Sequence, residues 1–390
     1  MRILEVFAEP LSYGGQEAFI LNMYMNFKEQ KNKYVFFTPY YCDNNKLQQE
    51  VEKRKDVIIA RNKNFDSKLR KKYYIEELKK FFKEDHNFNV VHIHSGSIFA
   101  LANGAKICAQ NGIEKIIVHS HCTGVENLKH KIIKKLYERK LLKYPTDYFA
   151  CSVDAADFKF PKKIICEKKY KVIKNGINLE KFSFDINARQ EYRKNFNIED
   201  DFAIINIGRM TEQKNQLFLI DIMNTIINQY NNEDIKLIII GDGPLKSIIL
   251  DRINDYKLNN NIIILSNRND INELLSASDL FVFPSIYEGL GIVAIEAQSN
   301  GLKSFCSDMV PDEANITPLF QKVNLNIGVE AWSNKILEYK KKYDGRKLKN
   351  IKSLITESGY DVKECAQKLE NEYNYVNGGI YGGKKWKGKI

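Results

Sequence analysis

Paired cysteine is the first thing this sequence lacks. Its seven cysteines are spread singly at positions 42, 108, 122, 151, 166, 306 and 365, with no Cys-x-x-Cys and no metal-ligand spacing. That pattern excludes a disulfide framework and a structural zinc site and points to a reduced, cytosolic protein. Long apolar runs are missing too: none approaches the ~18 residues that span a bilayer. The start, MRILEVFAEP, has no extended apolar core of the signal-peptide kind. The expectation is a soluble or peripheral protein that is not secreted. No internal repeat is visible, and no Asp-x-Asp stands where it could hold a divalent cation; the nearest acidic groups, Asp200-Asp201 and Asp242, are adjacent or alone.

What is present is length enough for two cores, 390 residues, and an uneven charge. Residues 1–180 hold 33 Lys and Arg against 21 Asp and Glu, whereas the remainder is close to balance at 27 against 28. A basic first half suits an anionic partner such as a membrane surface, a nucleic acid or an acidic substrate. A codon-driven surplus of lysine accounts for it equally well. Short apolar runs alternate with helical patterns throughout, which predicts parallel sheets covered by helices. One series of strands runs Arg2–Phe7, Tyr34–Thr38, Val57–Ala60, Val90–His94, Lys115–His119 and Asp147–Cys151. The second runs Ala203–Ile207, Lys236–Ile240, Asn261–Leu265, Leu280–Phe283 and Lys303–Cys306. Periodicity lapses over Val172–Asp200, around the turn Asn175-Gly176. Two Rossmann-like domains are therefore expected, at 1–175 and 176–360, then a terminal helix over 361–376 that could cross back to the first domain. A Gly- and Lys-rich tail, 377–390, is expected to be disordered.

The stretch Phe281 to Gln298, FVFPSIYEGLGIVAIEAQ, organises the rest. A strand ends at Pro284, a glycine-bearing loop follows, and a helix begins near Ile292. Unpaired N–H groups and the helix dipole there make an anion site. Glu288 and Glu296 beside it would repel phosphate, so they are suited to hydroxyl groups carried on the same ligand. Phosphate plus hydroxyls describes a sugar nucleotide, although an ordinary strand–loop–helix unit with two surface glutamates has the same spacing. Upstream, Arg209 and Lys214 follow another strand end and could hold a diphosphate. Gly14-Gly15-Gln16-Glu17 and Gly241-Asp242-Gly243-Pro244 place flexible backbone at further strand ends.

Four of the six histidines, His92, His94, His119 and His121, cluster at two strand ends. Ligands of open α/β sheets bind at such ends. Convergence on a metal is one reading. A polar active-site edge with His119 or His121 reaching substrate is the favoured one, because the four need not share a face. Finally, LKHKIIKKLYERKLLK over Leu128–Lys143 sets Leu128, Ile132, Ile133, Leu136, Tyr137 and Leu141 on one stripe. Seven Lys and Arg flank it against the single acid Glu138. It reads either as a membrane-surface helix or as a helix on the sheet with a solvated basic face.

Together these segments resemble glycosyltransferase family 4 of the GT-B fold, the retaining group often called group 1. VVHIH, VHSH, YFACS, VIKNGINLEKF, IGRMTEQKN, LIIIGDGPL, NDINELLSASDLFVFPS and EGLGIVAIEAQ carry the resemblance over nearly the whole chain. It is closest to enzymes of bacterial capsule and exopolysaccharide synthesis, through VHSH and SDMVPDEANIT followed by Trp332. The family often has proline in the turn that reads Lys174-Asn175-Gly176, and where Lys303 stands; neither position bears on the chemistry.

The resemblance implies an α/β GT-B enzyme with two Rossmann-like sheets facing a cleft, an N-terminal acceptor domain and a C-terminal nucleotide-sugar domain. Glu296 would hold the ribose hydroxyls and Glu288 the transferred sugar. Arg209 and Lys214 would neutralise the leaving diphosphate, helped by backbone N–H groups of Gly289, Leu290, Gly291 and Ile292. Gly15 would close over the phosphates, His121 would lie beside the anomeric carbon, and Asn267 or Arg268 would flank the base. The implied activity is retaining transfer, without a metal or other cofactor, from a UDP-sugar to a hydroxyl of a lipid-linked saccharide. It would take place at the anionic inner face of the cell membrane, with no nucleic-acid partner. The alternatives are a catalytically silent subunit of the same fold, which should have lost Glu288, Glu296, Arg209 or Lys214, and a sugar-nucleotide epimerase.

Overall fold

The computed structural model describes residues 1–12, 15–28, 31–63, 68–121, 127–266, 268–346 and 349–374. The expected tail, Asn267 and Gly14 lie outside these residues. In the first half, strands β1 (Arg2–Phe7), β2 (Lys33–Thr38), β3 (Val57–Ala60), β4 (Val90–His94), β5 (Lys115–Ser120), β6 (Asp147–Ala150) and β7 (Lys171–Val172) form one parallel sheet. Its order is β3-β2-β1-β4-β5-β6-β7. Helices α1 (Gly15–Asn26), α2 (Asn45–Lys53), α3 (Arg70–Glu84), α4 (Ile98–Gln110), α5 (Leu128–Lys143), α6 (Val153–Lys159) and α7 (Lys162–Cys166) link its strands. After α8 (Ile186–Asn195) the second sheet begins, with β8 (Phe202–Ile207), β9 (Ile235–Ile240), β10 (Ile262–Leu265), β11 (Leu280–Phe283), β12 (Lys303–Ser307) and β13 (Phe320–Val323). It is ordered β10-β9-β8-β11-β12-β13. Its helices are α9 (Gln216–Asn224), α10 (Lys246–Asp255), α11 (Ile271–Ala277), α12 (Ile292–Ser299), α13 (Gly328–Lys342) and α14 (Ile351–Glu357).

These strands are buried on both faces, so they read as near-continuous apolar runs such as AIINI and KLIII. Each sheet accordingly has an apolar cluster on either side. In both sheets the strand order reverses at one point, between β1 and β4 and between β8 and β11. Crevices for ligands open at such points, beyond the strands' C-terminal ends. The helix after β8 changes character at Thr225, where α9 gives way to a π-helical turn over Thr225–Gln229.

The last helix, α15 (Val362–Asn374), returns to the first sheet and packs on α1. Gly176 makes this crossing possible: a Cβ there would stand 2.5 Å from the Val362 Cα. Cys365, Ala366, Leu369 and Tyr373 join the apolar cluster of α1 and the β1 face. Glu370 accepts from the Lys28 backbone N–H at 2.9 Å, and Glu372 pairs with Lys171 at 2.6 Å. Among the described residues, no helix is long and apolar enough to cross a membrane.

The stripe expected on α5 divides in two. Ile133, Tyr137 and Leu141 turn to the core, whereas Leu128, Ile132 and Leu136 are 75%, 60% and 67% exposed. The cause is the 100° step of the helix, which separates the i, i+4, i+8 row of Leu128 from the row one residue on.

Candidate active site

At the second sheet, the loops after β8 and β11 are tied to each other. Ile286 N–H donates to the Gln213 carbonyl at 2.8 Å, Gln213 Nε2 to the Tyr287 carbonyl at 2.9 Å, and Asn215 Nδ2 to the Pro284 carbonyl at 3.1 Å. This stitching brings Lys214 Nζ to 2.6 Å from Glu288 Oε1, with the ammonium 4.6 Å above the Phe283 ring. Two residues expected to act on opposite ends of one bond are thus neighbours, and both are mostly enclosed. Gly208 leaves the room: a Cβ on it would meet the Lys214 Cδ and Cε at 3.0 Å. Arg209, in contrast, is exposed.

Gly291 is the N-cap of α12, at φ 77° and ψ 48°, a left-handed conformation in which glycine carries no Cβ penalty. Among the described residues no side chain caps this helix, so the first N–H groups of α12 keep their donor capacity beside Glu288. Glu296 lies one turn inside α12, where burial raises its carboxyl to about 7 against the pull of Lys181. Arg268 is exposed and bound through Nε to Asp270 at 2.8 Å, and Asp270 also accepts from the Tyr192 hydroxyl at 2.5 Å. Gly15 opens α1 with no atom within 4 Å of a Cβ built on it.

At the first sheet the four histidines do converge, contrary to the expectation of an open edge. Their side chains lie on the β-sheet face under α1 and α15, because His92 and His94 alternate with Ile93, and His119 shares their side. His119 is fully buried rather than set at an exposed edge. Burial holds all four imidazoles below the usual histidine range, His94 at about 3. His92, His94 and His119 bring ligand atoms within 4.8 Å of one another, near enough for a metal ion. Most ring nitrogens of these three have partners within the protein: His92 Nε2 meets His119 Nδ1 at 3.1 Å, and His94 Nε2 meets Glu5 Oε2 at 2.7 Å, whereas the buried His119 Nε2 has none among the described residues. His121, just past β5, is the half-buried outer member, 2.8 Å from His94 Nδ1 through Nε2.

Three residues escaped the sequence reading. Glu5 and Tyr373 belong to the histidine cluster; an isolated acid inside the apolar run RILEVF was the one signal for Glu5. Glu9 follows β1 and accepts from Ser95 Oγ at 3.0 Å and Gln16 Nε2 at 3.1 Å; burial raises its carboxyl, and these hydrogen bonds oppose the rise. It borders an open cavity of about 380 Å³ lined also by Arg70, Ser97, Ile133 and Lys159, beside α5. The two halves meet where Ser152 Oγ, the cap of α6, donates to the Gly289 carbonyl at 3.2 Å.

Comparison with known proteins bears on this arrangement. The family described as Glycosyltransferase Family 4 matches residues 13–181, and glycosyl transferases group 1 matches residues 188–348. The glycosyltransferase EpsF of Bacillus subtilis is 27% identical over 379 residues, covering 96% of each chain. A UDP-Gal:alpha-D-GlcNAc-diphosphoundecaprenol alpha-1,3-galactosyltransferase of Escherichia coli is 28% identical, over 74% of this chain and 72% of its own. Among solved structures, Anabaena HepE in complex with UDP-glucose superposes with a TM-score of 0.74 at 15% identity, over 96% of this chain and 100% of that one. Such a likeness concerns the fold: two Rossmann-like parallel sheets on either side of a cleft.

Proposed function

Because the chain belongs to glycosyltransferase family 4 of the GT-B fold, we propose that it transfers a sugar from a UDP-sugar to a hydroxyl of a lipid-linked saccharide, with retention of configuration. The observation that carries this reading is the Lys214–Glu288 pair at 2.6 Å, set at the uncapped start of α12. A cation for the leaving diphosphate and a carboxylate for the sugar hydroxyls are placed side by side, as cleavage of a sugar–phosphate bond requires. Glu296 would hold the ribose and Arg209 the outer phosphate oxygens. The UDP-glucose in Anabaena HepE and the UDP-Gal and diphosphoundecaprenol in the name of the Escherichia coli relative support the choice of donor and acceptor. Synthesis of a surface polysaccharide follows as its setting.

Attack on the donor's own face suits a site with these groups. The C1–O bond to the diphosphate breaks, the acceptor oxygen bonds to C1 on the same side, and its proton passes to the departing phosphate oxygen. Positioning and charge stabilisation carry the rate. Arg209, Lys214 and the α12 N–H groups supply the positive charge, so no divalent ion is needed. His121 would stand on the acceptor side, and the cavity beside Glu9, Arg70 and Lys159 would receive the acceptor. The exposed row Leu128, Ile132 and Leu136, flanked by Lys129, Lys131, Lys135 and Arg139, would rest on the anionic inner face of the cell membrane. Incubation with a panel of UDP-sugars and undecaprenyl-diphosphate saccharides, read by mass spectrometry and by NMR of the new linkage, tests this. An α-linked product from an α-linked donor, formed equally in EDTA, is expected. Inversion, or activity restored only by Mg²⁺ or Mn²⁺, refutes the mechanism.

A further inference from the structure

Tyr373 enters the histidine cluster from the far end of the chain. Its hydroxyl donates to Glu5 Oε1 at 2.8 Å; Glu5 Oε2 meets His94 Nε2 at 2.7 Å, and His94 Nδ1 meets His121 Nε2 at 2.8 Å. A side branch runs from the same hydroxyl to His92 Nδ1 at 2.7 Å and on to His119. Glu5, His92, His94, His119 and Tyr373 are all fully buried. Phe7 stacks on His94 at 4.8 Å, and Phe19 lies 4.9 Å from His119 and 5.1 Å from His121. With these rings packed against the line, its links are made between protein groups, since a buried donor or acceptor left unpaired is costly.

A neutral imidazole has a single N–H, so protons along this line are not independent. When Glu5 is protonated it donates to His94 Nε2, His94 then donates from Nδ1 to His121 Nε2, and the His121 proton resides on Nδ1. When Glu5 is ionised, His94 donates back to it from Nε2, His121 donates from Nε2 to His94, and His121 Nδ1 is bare. His121 Nδ1, a buried atom, has no hydrogen-bond partner among the described residues, so it is the ring nitrogen whose hydrogen bond a bound substrate would supply. We propose that Tyr373, Glu5 and His94 are positioning residues that fix the tautomer of His121, and thereby whether His121 offers the acceptor-side substrate a donor or an acceptor at Nδ1. This rests on the reading of His121 as an acceptor-side group, and it makes the terminal helix α15 part of the catalytic apparatus.

The groups facing Glu5 are Tyr34 from β2, His92 and His94 from β4 and Tyr373 from α15; around these stand Glu370 of α15 beside Tyr34 and Tyr373, His119 of β5 beside His94, and Phe19 of α1 against His119. His92 Nδ1 is 3.4 Å from Glu5 Oε2, longer than its 2.7 Å contact with Tyr373. Burial lifts the Glu5 carboxyl to about 8, so at neutral pH the protonated arrangement holds and His121 presents an N–H.

Ring-labelled histidine in the full-length protein gives the test, through long-range ¹H–¹⁵N correlation, with His121→Ala identifying the signal. Wild type should carry the His121 proton on Nδ1 at neutral pH and on Nε2 once the pH passes Glu5's value. Loss of the Nδ1 proton should make wild-type kcat decline across that rise; Glu5→Gln, whose amide accepts from Tyr373 and donates to His94, should lock the proton on Nδ1 and abolish the decline. Tyr373→Phe keeps the ring and loses the hydroxyl; kcat should fall about tenfold with the donor KM unchanged. The proposal is overturned if Glu5→Gln shows the wild-type tautomer change and pH profile, or if Tyr373→Phe turns over normally. Stoichiometric metal in the purified protein also overturns it, because coordinated nitrogens cannot carry these protons. If His121→Ala transfers sugar at the wild-type rate, the acceptor-side reading falls with it. If His121→Ala is slow while Glu5→Gln leaves the tautomer unmoved, the relay alone fails.

Discussion

At the end of the first sheet, Glu5, His92, His94 and His119 are fully buried and supply one another's hydrogen bonds. At the end of the second, Arg209 is exposed, and Lys214 and Glu288 sit on loops held together largely by backbone carbonyls. The same sheet topology thus carries two kinds of polar site. In the first, low dielectric and exclusion of water keep the groups neutral and make proton position the variable. In the second, the ligand is the variable: under the proposed function, a diphosphate at Lys214 would meet an ammonium already oriented by Glu288 and Phe283. One site is suited to holding a proton on a chosen atom, the other to receiving negative charge as a bond breaks.

The strongest test of this contrast lies in the charged loops. Arg209→Ala should lower kcat by about 10²–10³ and leave the thermal midpoint unchanged, since Arg209 is exposed. Lys214→Ala should lose a similar amount of rate but also lower the midpoint by several degrees in calorimetry, because it strands Glu288 in an enclosed position without its cation. Adding Glu288→Ala to Lys214→Ala should recover part of that midpoint and none of the rate. A sequence reading treats these two cations alike; the 2.6 Å pair separates them.

Smaller and more selective effects are expected at the two glutamates. Glu288→Gln should mainly lower kcat, since its hydroxyl contact sharpens as the sugar flattens toward an oxocarbenium ion, whereas Glu296→Gln should mainly raise the donor KM. Glu296 adds a pH signature. Its folded value, raised to about 7 from 4.5 by burial, means that its contribution to stability is present below the unfolded value and is lost as pH rises through the folded one. The ionised form accepts ribose hydroxyls best, so the donor KM should fall across that same rise. Steady-state kinetics from pH 6 to pH 8 check it; a flat donor KM would remove Glu296 from the ribose site.

The difference between the sites also explains what the sequence disclosed. Glu288, the α12 start and Glu296 lie within nine residues, so strand, loop and helix appear as one local pattern: Leu280–Phe283 has the expected bounds, and the helix begins at Ile292 as expected. The histidine network joins Glu5 to Tyr373 across nearly the whole chain, and no local pattern can announce that. Helix α4 was illegible for another reason: IFALANGAKICAQ is buried almost all round and carries no amphipathic stripe. Helix α8 is its converse, INARQEYRKN, a mostly polar helix started by the Asp185 side chain accepting from Asn187 and Ala188 N–H groups. On α5 the apolar positions were legible, but their division between core and solvent was not, because both rows are apolar.

That division supplies the last and mildest test. Substituting Leu128, Ile132 and Leu136 together by serine removes side chains that are mostly exposed already, so the thermal midpoint should not move. A leucine transferred from water into lipid contributes about 1.5–3 kcal/mol, and each nearby Lys or Arg about 1 kcal/mol at an anionic surface. Cosedimentation with anionic vesicles should therefore weaken by at least tenfold in the triple variant. In wild type it should weaken with added salt, because the Debye length falls to about 3 Å at 1 M. Substituting Ile133, Tyr137 and Leu141 instead should cost stability and leave lipid selectivity alone, since these turn to the core. Equal binding of wild type to neutral and anionic vesicles would reject charge as the attraction. Unchanged binding by the triple serine variant would move the membrane contact off α5 altogether.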